Sequence, residues 1–237
     1  MTRKNQSTSV SRRNLLKLSA GAVGTGVLTA GLGSKLAFPE PAIAQEDMTP
    51  EQALQKLMDG NKRFINGKRQ SPNQTFARLQ EVAKGQKPFA SILSCADSRV
   101  PSEIVFDQGF GDLFICRVAG NVATPEEIGS LEYGTLVLGT KVLMVVGHKK
   151  CGAVDATIKG AQVPGQIASL IDAIKPALER SKGKTGDNFD NTVKANVLVQ
   201  IDKLKESPVI SQLVEEGKLI VVGGYYDLDT GEISMVS

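Results

Sequence analysis

Four apolar runs of strand length, residues 89–94, 112–118, 142–147 and 219–223, punctuate this 237-residue chain, and helical periodicity fills the spaces between them. Short runs that are apolar on both faces and separated by helices belong to parallel strands joined by crossovers, because each crossover lays a helix on a face of the sheet. The expected fold class is therefore α/β, with a mainly parallel central β-sheet and flanking helices. The segment Tyr226-Asp227-Leu228-Asp229-Thr230-Gly231-Glu232 reads as a turn into a last strand at Ile233–Val236, an antiparallel edge.

The helices announce themselves by their ends. Thr49-Pro50-Glu51-Gln52 combines an N-cap, a proline at the first helical position and a glutamine three residues after the cap. Apolar residues then recur at helical spacing until Gly67, and a second short helix is expected over residues 78–84. Thr124-Pro125-Glu126-Glu127 opens another helix, expected to run to about Leu138. Further helices are expected over residues 153–158, 167–181, 190–205 and 209–216.

Residues 1–44 read differently. Ser11-Arg12-Arg13-Asn14-Leu15-Leu16-Lys17 is a twin-arginine pattern, a weakly apolar Gly- and Ala-rich stretch follows, and Ala42-Ile43-Ala44 is a small-x-small cleavage site. The expectation is a twin-arginine signal peptide, cleaved after Ala44, with residues 45–237 forming the catalytic domain. The segment is too rich in glycine and threonine to make a good spanning helix. It predicts periplasmic or otherwise exported localisation, with the twin-arginine translocation machinery as a transient partner. It also distorts the charge: residues 1–44 carry six Lys/Arg and one Glu, which leaves 22 basic against 24 acidic residues beyond them. A net charge near −2 offers no basic surface for nucleic acid.

Chemistry concentrates where strands end. Cys95-Ala96-Asp97-Ser98-Arg99 follows the first run, and His148-Lys149-Lys150-Cys151-Gly152 follows the third; His148 is the only histidine. In open α/β sheets, ligands gather beyond the carboxyl ends of the strands. If the two strands are neighbours, Cys95, His148 and Cys151 face one crevice as a three-ligand site for Zn2+, with the fourth position open. Gly147 and Gly152 are expected to give the His-x-x-Cys turn its freedom. Two thiolates neutralise the metal, so a coordinated water is acidified less than at a tris-histidine centre, and an acceptor must help to orient it. Asp97 is that acceptor, with Arg99 keeping it ionised. Asp97 has a second role open to it, as a fourth metal ligand that closes the site. The amides of Gly152 and Ala153, at a helix start, are a candidate anion site. Cys116, inside the second strand, reads as a small buried hydrophobe. Tyr225 and Tyr226 read equally as pocket lining or sheet core. An exported chain with metal-binding thiols fits twin-arginine export, which carries folded proteins and so allows metal loading before oxidation.

Cys-x-Asp-Ser-Arg at 95–99, His-x-x-Cys-Gly at 148–152, and Gly111-Asp112-Leu113-Phe114-Ile115-Cys116-Arg117-Val118-Ala119-Gly120-Asn121 together resemble the β-class carbonic anhydrases. The resemblance spans about residues 50–237. It implies zinc on Cys95, His148 and Cys151, and Asp97 with Arg99 as the catalytic dyad. It also implies a homodimer or higher even homo-oligomer whose N-terminal helices pack on the partner. The reaction implied is the reversible hydration of carbon dioxide to bicarbonate and a proton. Hydrolysis of carbon disulfide or carbonyl sulfide uses the same metal chemistry, and a zinc- or bicarbonate-binding protein without turnover is the reading from another class. Two departures stand out. Many members bind bicarbonate through a glutamine before the Gly-Asp/Glu stretch, whereas here Gly109 takes that place and Gln108 lies one residue away. One subgroup builds a regulatory bicarbonate pocket partly from tryptophan, and this chain has none.

Overall fold

The computed structural model describes residues 48–237, so the signal peptide and cleavage site read in residues 1–44 lie outside the described residues. The chain opens with helices α1 (Pro50–Ile65) and α2 (Phe76–Val82), then alternates: β1 (Ala90–Ser94), α3 (Ser102–Val105), β2 (Leu113–Arg117), a 3-10 turn (Ala119–Asn121), α4 (Pro125–Glu132), β3 (Val142–His148), α5 (Gly152–Ile158), α6 (Ile167–Ser181), α7 (Asn188–Lys205), α8 (Pro208–Glu215), β4 (Ile220–Tyr226) and β5 (Ile233–Val236). The strands form one sheet in the order β2-β1-β3-β4-β5. All pairings are parallel except β4 with β5, which is antiparallel. Both the parallel core and the antiparallel edge match the expectation from the apolar runs.

Local chemistry explains the ends. The Thr49 hydroxyl accepts from the Gln52 amide and the Gln52 side chain accepts from the Thr49 amide, a complete capping box in front of Pro50. Thr124 precedes Pro125 as expected, but its hydroxyl turns to the carboxylates of Glu126 and Glu127 and makes no cap bond to the backbone. The helix expected to reach about Leu138 is α-helical only to Glu132 and loosens into a π-helical turn over Tyr133–Val137. Short α3 and the 3-10 turn are too brief for periodicity to reveal.

The core divides across the sheet. One apolar cluster, including Ala53, Leu57, Ile92, Val105 and Met144, ties α1 and α3 to one face. A second, including Leu93, Leu131, Val145, Val197 and Leu204, ties α4 and α7 to the other. Strands β1 and β3, in the middle, are buried along their whole length. They are rigid platforms, and the loop leaving each is held in place. The position of Gly147 shows how tightly α7 lies on β3. A Cβ there would come 2.7 Å from Val197 and 2.9 Å from Val193.

The candidate metal centre

Because β1 and β3 are hydrogen-bonded neighbours in parallel, Ser94 beside Val146, their carboxyl ends deliver Cys95 and His148 to one place. Cys151 closes the group as the residue that opens α5. One donor atom from each of Cys95, His148 and Cys151 lies within 4.8 Å of the others, and all three residues are buried. The turn between His148 and Cys151 is made by Lys150, whose φ is 58°. The expectation that Gly147 and Gly152 supply that freedom is therefore corrected. Neither has a positive φ, and Gly147 is small so that α7 can approach.

His148 is fully buried. Its Nδ1 lies 2.9 Å from the Lys149 carbonyl, which makes Nδ1 the protonated nitrogen and leaves the Nε2 lone pair free. Among the described residues, Nε2 has no hydrogen-bond partner. A buried acceptor without a partner costs about 1–3 kcal/mol, and a cation between two sulfurs removes that cost. The donor set of two cysteines and one histidine suits zinc and leaves a fourth position open. Cys95 is held down toward the thiolate by the bond from Cys151 above all and by the Gly120 amide 3.3 Å from its sulfur, against the opposing effect of burial. Cys151 is pushed up by its bond to the Cys95 thiolate and by burial, while amides of Ala153 and Val154 act the other way. The opening amides of α5, those of Ala153 and Val154, attend the Cys151 sulfur.

Asp97 sits on the rim. Arg99 grips it as a fork, Nε to Oδ1 at 2.9 Å and Nη2 to Oδ2 at 2.8 Å, and the Arg99 amide adds a third bond to Oδ1 at 2.9 Å. These bonds, the side-chain pair above all, hold the Asp97 carboxyl at about 2, below its usual range. Asp97 Oδ2 stands 3.9 Å from His148 Nε2.

Three supports were not legible in the sequence. Arg117 ends β2, and its guanidinium donates to the carbonyls of Cys95 at 3.1 Å and Asp97 at 2.6 Å, bracing the loop that carries both. The β1–β2 register, Ser94 beside Arg117, is the signal that points there. Arg99 Nη2 also donates to the Lys150 carbonyl at 3.2 Å, joining the two ligand loops. Lys149 and Lys150 pair with Asp227 and Asp229, so the β4–β5 turn clamps the His148–Cys151 loop from outside.

Other residues singled out in the sequence fall elsewhere. Gln108 is buried beside the loop that feeds β2, its Nε2 donating to the Phe106 carbonyl at 2.9 Å. That loop meets the start of β1 through Phe89 and Asp112. The Gln108 amide donates to the Glu103 carbonyl at 2.9 Å, and the hydrogen bonds of Gln108 run to Glu103, Phe106 and Gln74 rather than to the three donors. Cys116 is half-buried, outside the cluster, and burial pushes its thiol up. Tyr225 and Tyr226 are both core residues. The Tyr225 hydroxyl donates to Asp190 at 2.6 Å, and burial raises the phenol.

A parallel α/β sheet with two cysteines and a histidine converging at its carboxyl edge, beside a forked Asp–Arg pair, defines a metalloenzyme site. Residues 90–233 match the family described as Carbonic anhydrase. Carbonic anhydrase 2 of Mycobacterium tuberculosis is 36% identical over 187 residues, covering 77% of this chain and 90% of that protein. The solved β-carbonic anhydrase CcaA is 26% identical, with a TM-score of 0.61 over 78% of this chain and 95% of that one. Two tetrameric β-carbonic anhydrases from Sordaria macrospora share the fold, with a TM-score of 0.63 at 22% identity over 78% of this chain and 96% of that one. The chain belongs to the β-class carbonic anhydrase family. It is an enzyme of that activity, and its cofactor is zinc, for which the Cys95-His148-Cys151 group is positioned.

Proposed function

We propose that this enzyme catalyses the reversible hydration of carbon dioxide to bicarbonate and a proton, with zinc held by Cys95, His148 and Cys151. The observation that carries the reading is the buried, unpartnered Nε2 of His148, set between two cysteine sulfurs and faced by Asp97. When bound, zinc supplies a Lewis acid that polarises oxygen and acidifies a coordinated water. The chain's own residues do the rest. Arg99 keeps Asp97 ionised and holds both of its oxygens, so that the carboxylate would be available beside the three donors as a hydrogen-bond acceptor. Arg117 and the Arg99–Lys150 bond hold the two ligand loops at a fixed spacing. No histidine remains to carry the proton away, because the only one is His148. Stopped-flow hydration on the zinc-loaded protein tests the reading. At saturating carbon dioxide and fixed pH, turnover should climb with buffer concentration and then level off. A rate that is flat down to low-millimolar buffer would expose an internal proton relay, and no hydration by a zinc-loaded sample would overturn the function.

The mature enzyme is exported folded by the twin-arginine route and acts as a dimer or a higher even oligomer outside the cytoplasm. The twin-arginine pattern supports the first statement. The second is supported by the exposed apolar residues Leu79, Ile104 and Phe110, which lie close to Leu113 at the start of β2, the outermost parallel strand among the described residues. One experiment reads both. Replacing Arg12 and Arg13 by lysine should retain the chain in the cytoplasm, and light scattering on the wild-type exported fraction should give an even multiple of the mature mass. Unchanged export, or a monomer, refutes the respective statement.

A further inference from the structure

Helix α7 carries a line of polar residues that the reaction does not explain. Thr192, Asn196 and Gln200 recur at every fourth position, each fully buried, on a helix whose other buried residues include Val193, Val197, Ile201 and Leu204. Apolar residues would fill this interface at no polar cost, so the line has a specific task. Its two amides grip one backbone segment. Asn196 Nδ2 donates to the Gly120 carbonyl at 2.8 Å, and Gln200 Oε1 accepts from the Ala123 amide at 2.8 Å. Gln200 Nε2 donates to Asn196 Oδ1 at 3.0 Å, which fixes the Asn196 amide so that its nitrogen faces Gly120.

The gripped segment needs a hold. Gly120 has φ +76° and Asn121 φ +46°, two consecutive left-handed residues, and the buried Asn121 Nδ2 finds no partner among the described residues. A Cβ on Gly120 would come 2.6 Å from Ile174, so the backbone itself packs in. What this contorted turn delivers is the Gly120 N–H, 3.3 Å from the Cys95 sulfur.

We propose that Asn196 is a positioning residue for the metal centre: with Gln200 it holds the Gly120 amide on the Cys95 sulfur, and through that bond sets the orientation and donor strength of this ligand. The inference rests on the assignment of zinc to Cys95, His148 and Cys151. An N–H bond to a ligand sulfur draws electron density from it and restricts its rotation about the metal bond, and losing such an outer contact typically weakens metal binding by about 10- to 100-fold.

The test compares the wild type with Asn196→Leu, which keeps the volume and removes the amide, and Asn196→Ser, a milder change whose hydroxyl cannot span to the Gly120 carbonyl. Leu204→Ala serves as a comparably destabilising change in the same helix with no link to Gly120. Zinc affinity is read by chelator competition, and the Cys–metal bond by the thiolate-to-cobalt charge-transfer band of the cobalt-substituted protein. The Asn196 variants should bind zinc about tenfold or more weakly and move the band to lower energy, because the sulfur is left richer in electrons. Leu204→Ala should lower the melting temperature and leave both readouts alone. A folded Asn196 variant of either kind with wild-type affinity and an unmoved band overturns the proposal. So does an Asn196 effect that Leu204→Ala reproduces. A wild-type protein that takes up no zinc refutes the ligand assignment instead, so the two failures are distinguishable.

Discussion

Cys151→Ser loses zinc and activity together, while Cys116→Ser keeps both. A serine hydroxyl is not ionised near neutral pH, and it sits short of the place a cysteine sulfur occupies, so only Cys95 and His148 remain to hold the metal. Two ligands in a pocket shaped for three leave zinc content below about a tenth of the wild-type value of about one per chain. Carbon dioxide hydration should fall by about a thousandfold or more, because no chain group substitutes for the metal's Lewis acidity. Cys116 makes the sharper control. It is a cysteine of the same chain, half-buried on β2, and its thiol is held protonated by burial first and by the nearby Glu127 charge second. A protonated thiol bonded to Ser130 is a poor ligand, and Cys116 stands outside the Cys95–His148–Cys151 group. Elemental analysis of the two purified variants decides the matter. Equal zinc in both would mean the ligand set is wrong.

Why the ligands were legible before the fold was known, and their supports were not, is a matter of range. Cys95 and His148 each directly follow an apolar run, so strand periodicity alone places them at a carboxyl edge; adjacency of β1 and β3 then brings them together. The Thr49 capping box is equally local, since donor and acceptor are three residues apart. Arg117 is different. Its partners are about twenty residues upstream, and they are backbone carbonyls, which no residue pattern advertises. Asn196 grips a carbonyl 76 positions away. The four-residue spacing of Thr192, Asn196 and Gln200 was visible, but polar residues at helical spacing read as a solvated face until the fold shows them buried. Gly147 misled for the opposite reason: next to a turn a glycine suggests backbone freedom, whereas here it is the close approach of α7 that requires it. Residue type also concealed the true turn, since the left-handed residue is a lysine, whose carbonyl accepts from Arg99 and whose ammonium donates to Asp229.

The Asp97–Arg99 fork sets the second large effect. Its sign comes from the direction of the shift. Asp97 titrates at about 2 in the folded chain, against an ordinary 3.8, chiefly because Arg99 bonds its carboxylate. A depressed acid contributes stability above its unfolded value, and that contribution is lost as pH falls through about 2. Between pH 5 and 9 the wild-type pair is therefore intact, and no change of activity in that window comes from Asp97 gaining a proton. Arg99→Ala changes this. The carboxylate loses its fork, and Oδ2, already 3.9 Å from His148 Nε2, is free to swing onto the metal at the fourth position. There it competes with solvent, and alkaline pH favours solvent as hydroxide. Arg99→Ala should thus keep its zinc, lose about a hundredfold in activity near neutral pH, which corresponds to about 2.7 kcal/mol of barrier, and recover part of the loss above pH 8. Arg99→Lys should recover little, because one ammonium cannot satisfy both Asp97 oxygens and the Lys150 carbonyl at once. Stopped-flow rates from pH 6 to 9, with zinc measured on the same samples, give the answer. An Arg99→Ala profile running parallel to the wild type would show that the fork does not hold Asp97 off the metal, and zinc loss in that variant would show that Arg99 acts by stiffening the ligand loops instead.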